Sequence, residues 1–265
     1  MNVYIMLIYL FFPRRIDFWI SYWILRCRSI VFLKETGKKE IEKIISDYDC
    51  GSSTYVLGEF KRTIIKDFVT LYNIMQIEEN LAGVRDNINE HVFHRSFQRV
   101  YYIFNDLCKQ FDENFDLVKA ELRTYPERLE RRFSYGLKSP LFDETHCHRA
   151  GAQVDFSGEK AAIPDVKCEK TDNFCDSCEF WEKYKHNVAG LENEAGLQEK
   201  MREALLKVIQ DGEPLKGNTC KSLGDCIISL EALQTTGKKV CTTNIRDFKP
   251  ICDHIGIALC ELKHT

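Results

Sequence analysis

The spacing Cys168-x6-Cys175-x2-Cys178 is the tightest group of soft donors in the chain. A Cys-x2-Cys knuckle presents two thiolates to one Zn²⁺, and a closed structural site needs four ligands in a tetrahedron. Cys220 makes a fourth with Cys168, Cys175 and Cys178, while His146, Cys147 and His148 compete for the same places. The other reading is ordinary cysteines in a reducing compartment. Cys226, Cys241, Cys252 and Cys260 sit among apolar residues and read as small core residues. A thiol enzyme is less well supported. With 12 Cys and 7 His, proximity of the two types is expected by chance, and no thioredoxin-like strand precedes the knuckle. Neither a Walker loop nor Gly-x-Gly-x-x-Gly occurs, so nucleotide phosphates have no cradle. Arg123, Arg128, Arg131, Arg132 and Lys138 lie among Tyr125, Phe133 and Tyr135. That mix suits phosphate contact and base stacking. Glu121, Glu127 and Glu130 dilute it, which favours a solvated amphipathic helix.

These residues need elements to hold them. Residues 38–46 have a helical pattern, and Gly51-Ser52-Ser53-Thr54 stops it. Ser53 and Thr54 are natural N-caps for the next helix, whose apolar residues Val56, Phe60, Ile64 and Phe68 recur at helical spacing to about Tyr72. Residues 86–121 predict another long helix, with Val92, Phe93, Phe97, Val100, Tyr101, Phe104, Leu107 and Phe111 as its stripe. Residues 122–190 carry little apolar periodicity and read as an insertion or small lobe. Helical spacing resumes at Leu197, Met201, Leu205, Val208 and Ile209 and ends at Gly212 and Pro214. The remainder predicts a helix from Gly224 toward Gly237, a strand at 239–243, a loop and short helix over 244–255, and a strand at 257–260. Alternating helix and strand with short connectors argues a parallel α/β sheet. Taken alone, Asp225 could simply complement a helix dipole, Glu59 could be a solvated helix position, and Asp247 could cap a helix.

Three segments together resemble the PIN domains, a family of metal-dependent ribonucleases. Ser53-Thr54-Tyr55-Val56-Leu57-Gly58-Glu59-Phe60 is similar to the family's acid-bearing strand-to-helix segment. Leu223-Gly224-Asp225-Cys226-Ile227-Ile228 is similar to its acid at a helix start. Val240-Cys241-Thr242-Thr243-Asn244-Ile245-Arg246-Asp247-Phe248 is similar to its Thr-x-(Asp/Asn)-x-x-(Asp/His)-Phe segment, and His254-Ile255-Gly256-Ile257 resembles its ending. The resemblance implies a PIN-like parallel sheet flanked by helices, made from residues 16–80 and 215–265. A mostly helical insertion over 81–214 bears the cysteine lobe. It implies hydrolysis of RNA phosphodiesters with Mg²⁺ or Mn²⁺ held by Asp225, Glu59, Asn244 and Asp247, and with Asp17 as the remaining acid. Hard carboxylate oxygens suit these cations, and a bound metal lowers the pKa of its water. Thr242, at a strand end, would orient a ligand carboxylate. The sequence departs from the family at two positions. Asp17, in Arg15-Ile16-Asp17-Phe18-Trp19, lacks the family's flanks, and Asn244 brings no charge. The alternative is an inert PIN-like nucleic-acid-binding or scaffolding module. RNA is the expected partner, with a protein inhibitor or regulator as a second.

Composition sets the bounds. The chain has 265 residues, 44% hydrophobic and 29% charged, with a formal net charge of -3. That is globular composition, with no global basic field. The apolar runs Val3–Phe12 and Phe18–Leu25 are interrupted or too short to span a bilayer, and no basic region precedes the first. A cytoplasmic protein with no integral membrane segment is therefore expected. Residues 1–15 are read apart from the core: a buried strand or helix, half of a membrane hairpin, or non-native coding sequence.

Overall fold

The computed structural model describes residues 4–7, 47, 49–91, 95–135, 141–164, 177–211, 218–242 and 244–261. Its sheet holds β1 (Tyr4–Leu7), β2 (Asp49–Gly51), β3 (Lys239–Thr242) and β4 (Ala258–Glu261), in the order β2-β1-β3-β4 and parallel throughout. Ile5 pairs with Cys50 on one side and Lys239 on the other, so β1 is an inner strand. Residues 4–7 of the apolar N-terminal segment set apart on sequence thus form an inner strand of the sheet. Val240, Cys241 and Thr242 are buried in succession. Burial on both faces is what a parallel sheet covered on both sides requires. The chain is mixed α/β and mostly helical.

The order has a consequence for ligands. From β1 the chain goes to β2 on one side, then to β3 on the other. In open α/β sheets the carboxyl ends flanking such a reversal form a crevice. Helix α1 (Thr54–Phe60) starts just after β2, and α10 (Ile245–Ile255) starts just after β3.

Ser53 caps α1 as its type predicts, accepting from the Val56 N–H at 3.3 Å. The helix continues through a π-helical stretch, Lys61–Ile65, into α2 (Lys66–Ile77). Three helices then follow where the pattern predicted one over 86–121: α3 (Leu81–Glu90), α4 (Arg95–Gln110) and α5 (Phe115–Tyr135). Between α4 and α5, Asp112 and Glu113 take positive φ of 49° and 55°. Asn114 then turns the chain by accepting from the Leu117 N–H at 3.1 Å. The predicted stripe holds within α4, where Val100, Phe104 and Leu107 are buried.

Several of the described residues within 122–190 pack into the core. Phe133 stacks on Phe60 with centroids 5.1 Å apart, and Tyr125 stacks on Phe68 at 5.3 Å. Both aromatics are therefore core, and the basic-aromatic cluster divides. Arg128 pairs with Glu121 and Arg131 with Glu127, as on a solvated face. Arg132, Tyr135 and Lys138 have no described side chain. Phe142 pairs with Ser52 and Thr54 through backbone hydrogen bonds of 2.8 and 2.9 Å, lengthening the sheet edge beyond β2. Helix α6 (Ser177–Tyr184) buries Phe180, Trp181 and Tyr184. Then come α7 (Glu199–Leu206), continued by a π-helical stretch Lys207–Asp211, α8 (Asn218–Ser222) and α9 (Gly224–Glu231). Among the described residues no helix is long and apolar enough to cross a membrane.

Buried charge ties the helices together. Arg99 on α4 grips Asp67 on α2 with both branches of its guanidinium, one bond measuring 3.0 Å. Asp67 is 3% exposed. Removing one partner of such a pair strands the other charge, at a cost of about 3–5 kcal/mol. Arg99→Leu should lower unfolding stability by about 3 kcal/mol in urea titration, and Arg99→Leu with Asp67→Leu should recover most of that loss.

Candidate functional site

Three of the predicted acids lie on the helices that start at this end of the sheet. Glu59 is in the last turn of α1, Asp225 in the first turn of α9, and Asp247 in the first turn of α10. Helix α9 packs against both of the others. Asp225 registers the arrangement. Burial raises its carboxyl first, and the charges of Asp247 and Glu59 add to the shift, bringing its pKa to about 7. Like charges gathered around a half-buried carboxyl disfavour its ionisation. A cation there would reverse that balance. The donors are hard oxygens of the kind Mg²⁺ and Mn²⁺ take, so the set fits such an ion in chemistry. Among the described residues, however, no group of three His, Cys, Asp or Glu is arranged to hold a metal as it stands.

Glu59 shows why. Its Oε1 accepts from Arg149 at 2.8 Å, and Arg62 approaches at 3.9 Å. Arg149 is 7% exposed and lies over the Tyr55 ring at 5.6 Å. It reaches the site from a 3₁₀ turn, His148–Gly151, that packs on α1. Nothing in the local sequence marks Arg149; only a half-buried carboxylate needing a counter-ion points to it.

Comparison with protein-family models, characterised proteins and solved structures finds no match to this chain.

The other predicted positions divide. Asn244 is exposed at the start of α10 and makes no side-chain cap. The Thr242 hydroxyl, predicted to orient a carboxylate, is fully buried and accepts from the Asn244 N–H at 2.9 Å. It shapes the turn after β3. Asp17 lies outside the described residues, and the inner strand Tyr4–Leu7 carries no acid. Cys168 and Cys175, with the side chain of Cys178, also lie outside them. Cys220 is buried, and its carbonyl accepts from the Tyr55 hydroxyl at 3.5 Å. Of the competing donors, Cys147 is buried and His146 is exposed, 3.6 Å from Asp143. Cys226, Cys241 and Cys252 are buried as expected, and Cys260 is half-buried.

Gly224 sets how closely α9 approaches α1. A Cβ there would stand 2.7 Å from the Tyr55 hydroxyl oxygen. Overpacking of this kind costs about 1–3 kcal/mol. Gly224→Ala should destabilise by that amount and displace Asp225 from its neighbours. Tyr55→Phe in the same chain, by removing the clashing oxygen, should recover part of the loss. Thermal unfolding of the single and double variants checks both.

Sequence reasoning also missed Glu231, at the other end of α9. It is fully buried. Neither of its carboxyl oxygens meets a hydrogen-bond partner in good geometry among the described residues. Burial lifts its pKa to about 8; the nearby Ser53 hydroxyl opposes the shift, and Glu144 and Asp143 add to it.

Proposed function

We propose that the chain is a metal-dependent ribonuclease with a PIN-like acidic site, hydrolysing RNA phosphodiester bonds. The supporting observation is the electrostatic coupling of Asp225 to both Glu59 and Asp247. Folding alone would not place Asp225 within electrostatic reach of two acids remote in sequence, because both disfavour its charged form. Asp225, Glu59 and Asp247 would hold Mg²⁺ or Mn²⁺, with Asn244 beside them. Such an ion supplies positive charge that activates water and offsets charge on the phosphate. The chain's own part is to keep the carboxylates converging and half-dry. Arg149, which holds Glu59 now, would compete with such an ion for that carboxylate.

A second reading, a PIN-like binding or scaffolding module without catalysis, draws on two observations. Glu59 already has a counter-ion, and β1 brings no acid to the crevice. Cleavage of a mixed-sequence RNA by purified protein separates the two. The nuclease reading expects products with Mn²⁺ and none with EDTA. Identical traces under both conditions would favour the binding module.

A further inference from the structure

A groove of about 590 Å³ opens at Asp225 and runs between α7 and α8. Its long wall is one face of α7 and the start of its π-helical continuation. Lys200, Glu203, Ala204 and Lys207 line it at spacings of three, four and seven residues, which places them on one helical stripe. Lys200 and Lys207 are therefore about 10 Å apart along the axis. The opposite wall carries Thr219 and Lys221 from α8. All three lysines are exposed. Glu203 is the one carboxylate on the lysine wall, and Asp225 closes the end. The groove thus leads from Asp225 along a row of flexible ammonium groups. Its walls are too polar and open for an apolar ligand.

We infer that this groove is the track for the phosphate backbone of a single-stranded RNA, with Lys200, Lys207 and Lys221 as positioning residues that lead the strand to Asp225. The inference rests on the ribonuclease reading for the direction of the strand, and it assigns the substrate contact to the inserted α7–α8 region rather than to the sheet. Lysines serve as point charges for phosphate. Each phosphate neutralised on a single strand contributes about 0.7 to the salt slope of binding. Lys200, Lys207 and Lys221 are exposed and pack little, so their removal leaves the fold intact.

The test is fluorescence anisotropy of a labelled single-stranded oligoribonucleotide in EDTA, where no cleavage occurs. Lys200→Ala, Lys207→Ala and Lys221→Ala combined should weaken binding tenfold or more. The slope of log Kd against log salt should fall by about 2. Glu203→Gln, which removes the opposing charge, should tighten binding several-fold. A triple variant with unchanged affinity and slope would overturn the assignment. So would wild-type protein that binds polyglutamate but not RNA, which would point to an acidic protein partner. Because the readout is binding without metal, its outcome is separate from that of the nuclease assay. Lysine-dependent binding with no Mn²⁺-dependent cleavage keeps the groove and removes the nuclease reading. Cleavage whose KM is indifferent to the three lysines does the reverse.

Discussion

Asp225→Asn should abolish RNA cleavage and, in the same protein, raise stability at neutral and alkaline pH. Both effects come from one carboxylate. Loss of a carboxylate that would hold the cation offsetting charge on the reacting phosphate costs about a hundredfold or more in rate. The stability effect follows from the pKa of about 7. The folded state holds the proton over a range where the unfolded chain has lost it, so folding stability falls as pH rises from about 4 to about 7. Asn carries no such penalty. Its advantage should be absent below pH 4 and reach on the order of 2–4 kcal/mol above pH 7. Added Mn²⁺ should narrow the gap from the other side, raising the wild-type melting temperature and leaving the variant's unchanged. Thermal scans at pH 4, 6 and 8, with and without Mn²⁺, read all of this without an activity assay. A variant less stable than wild type at pH 8 would mean that Asp225 is not crowded by like charge.

Glu231→Gln should stabilise the protein strongly at high pH. The carboxyl is fully buried and protonated up to about pH 8. Because its folded pKa lies above the unfolded value, its contribution is favourable at low pH and disappears as pH rises through about 8. Over that window wild-type stability should decline by about 1.4 kcal/mol per pH unit from this group alone. Gln reproduces the neutral shape and does not titrate. Urea denaturation at pH 5, 7 and 9 should give nearly equal stabilities at pH 5. The variant should lead by on the order of 4 kcal/mol at pH 9. A lead of the same size at all three pH values would show that packing, not ionisation, is responsible.

The elements were most legible where side chains alone set them. The C-terminal helix–strand–helix–strand run is read from Gly224, Val240 and Gly256, because parallel strands and helix stops leave local marks. Ser53 was recognised as a cap from its type. Asp225, Glu59 and Asp247 were grouped from their segments, and the Asp225 carboxyl is shifted by the other two. Tertiary effects were not legible. The break between α4 and α5 rests on Asp112 and Glu113 adopting left-handed backbone without glycine. The burial of Phe133, Phe180 and Trp181 reflects long-range packing that the irregular local pattern hides. Arg149 and Glu231 are ordinary charged residues in sequence; only the surrounding fold makes one a counter-ion and the other a neutral acid. The Arg123–Lys138 region drew notice for its basic charge, whereas the lysines beside Asp225 are dispersed in sequence and converge only through α7 and α8.

The π-helical stretch Lys61–Ile65 lies immediately after Glu59. Its wider turn loosens the regular ladder there, and the Thr63 hydroxyl donates to the Glu59 carbonyl at 2.7 Å. It also turns Lys61 inward, where its ammonium reaches the Ala152 carbonyl at 2.8 Å and Glu130 at 2.6 Å. Such a stretch is an α-helix carrying one residue too many. The acid-bearing segment and the core-facing stripe of α2 are therefore phased independently, with the surplus residue absorbing the difference. Deleting a single residue from this stretch would restore a regular ladder but rotate one segment by about 100° against the other. Either Glu59 would leave Asp225 or Phe68 and Leu71 would leave the core. The length of this segment is thus fixed more strictly than its composition. Relatives of this chain should tolerate substitution at Arg62 far more readily than any change in residue count between Glu59 and Phe68.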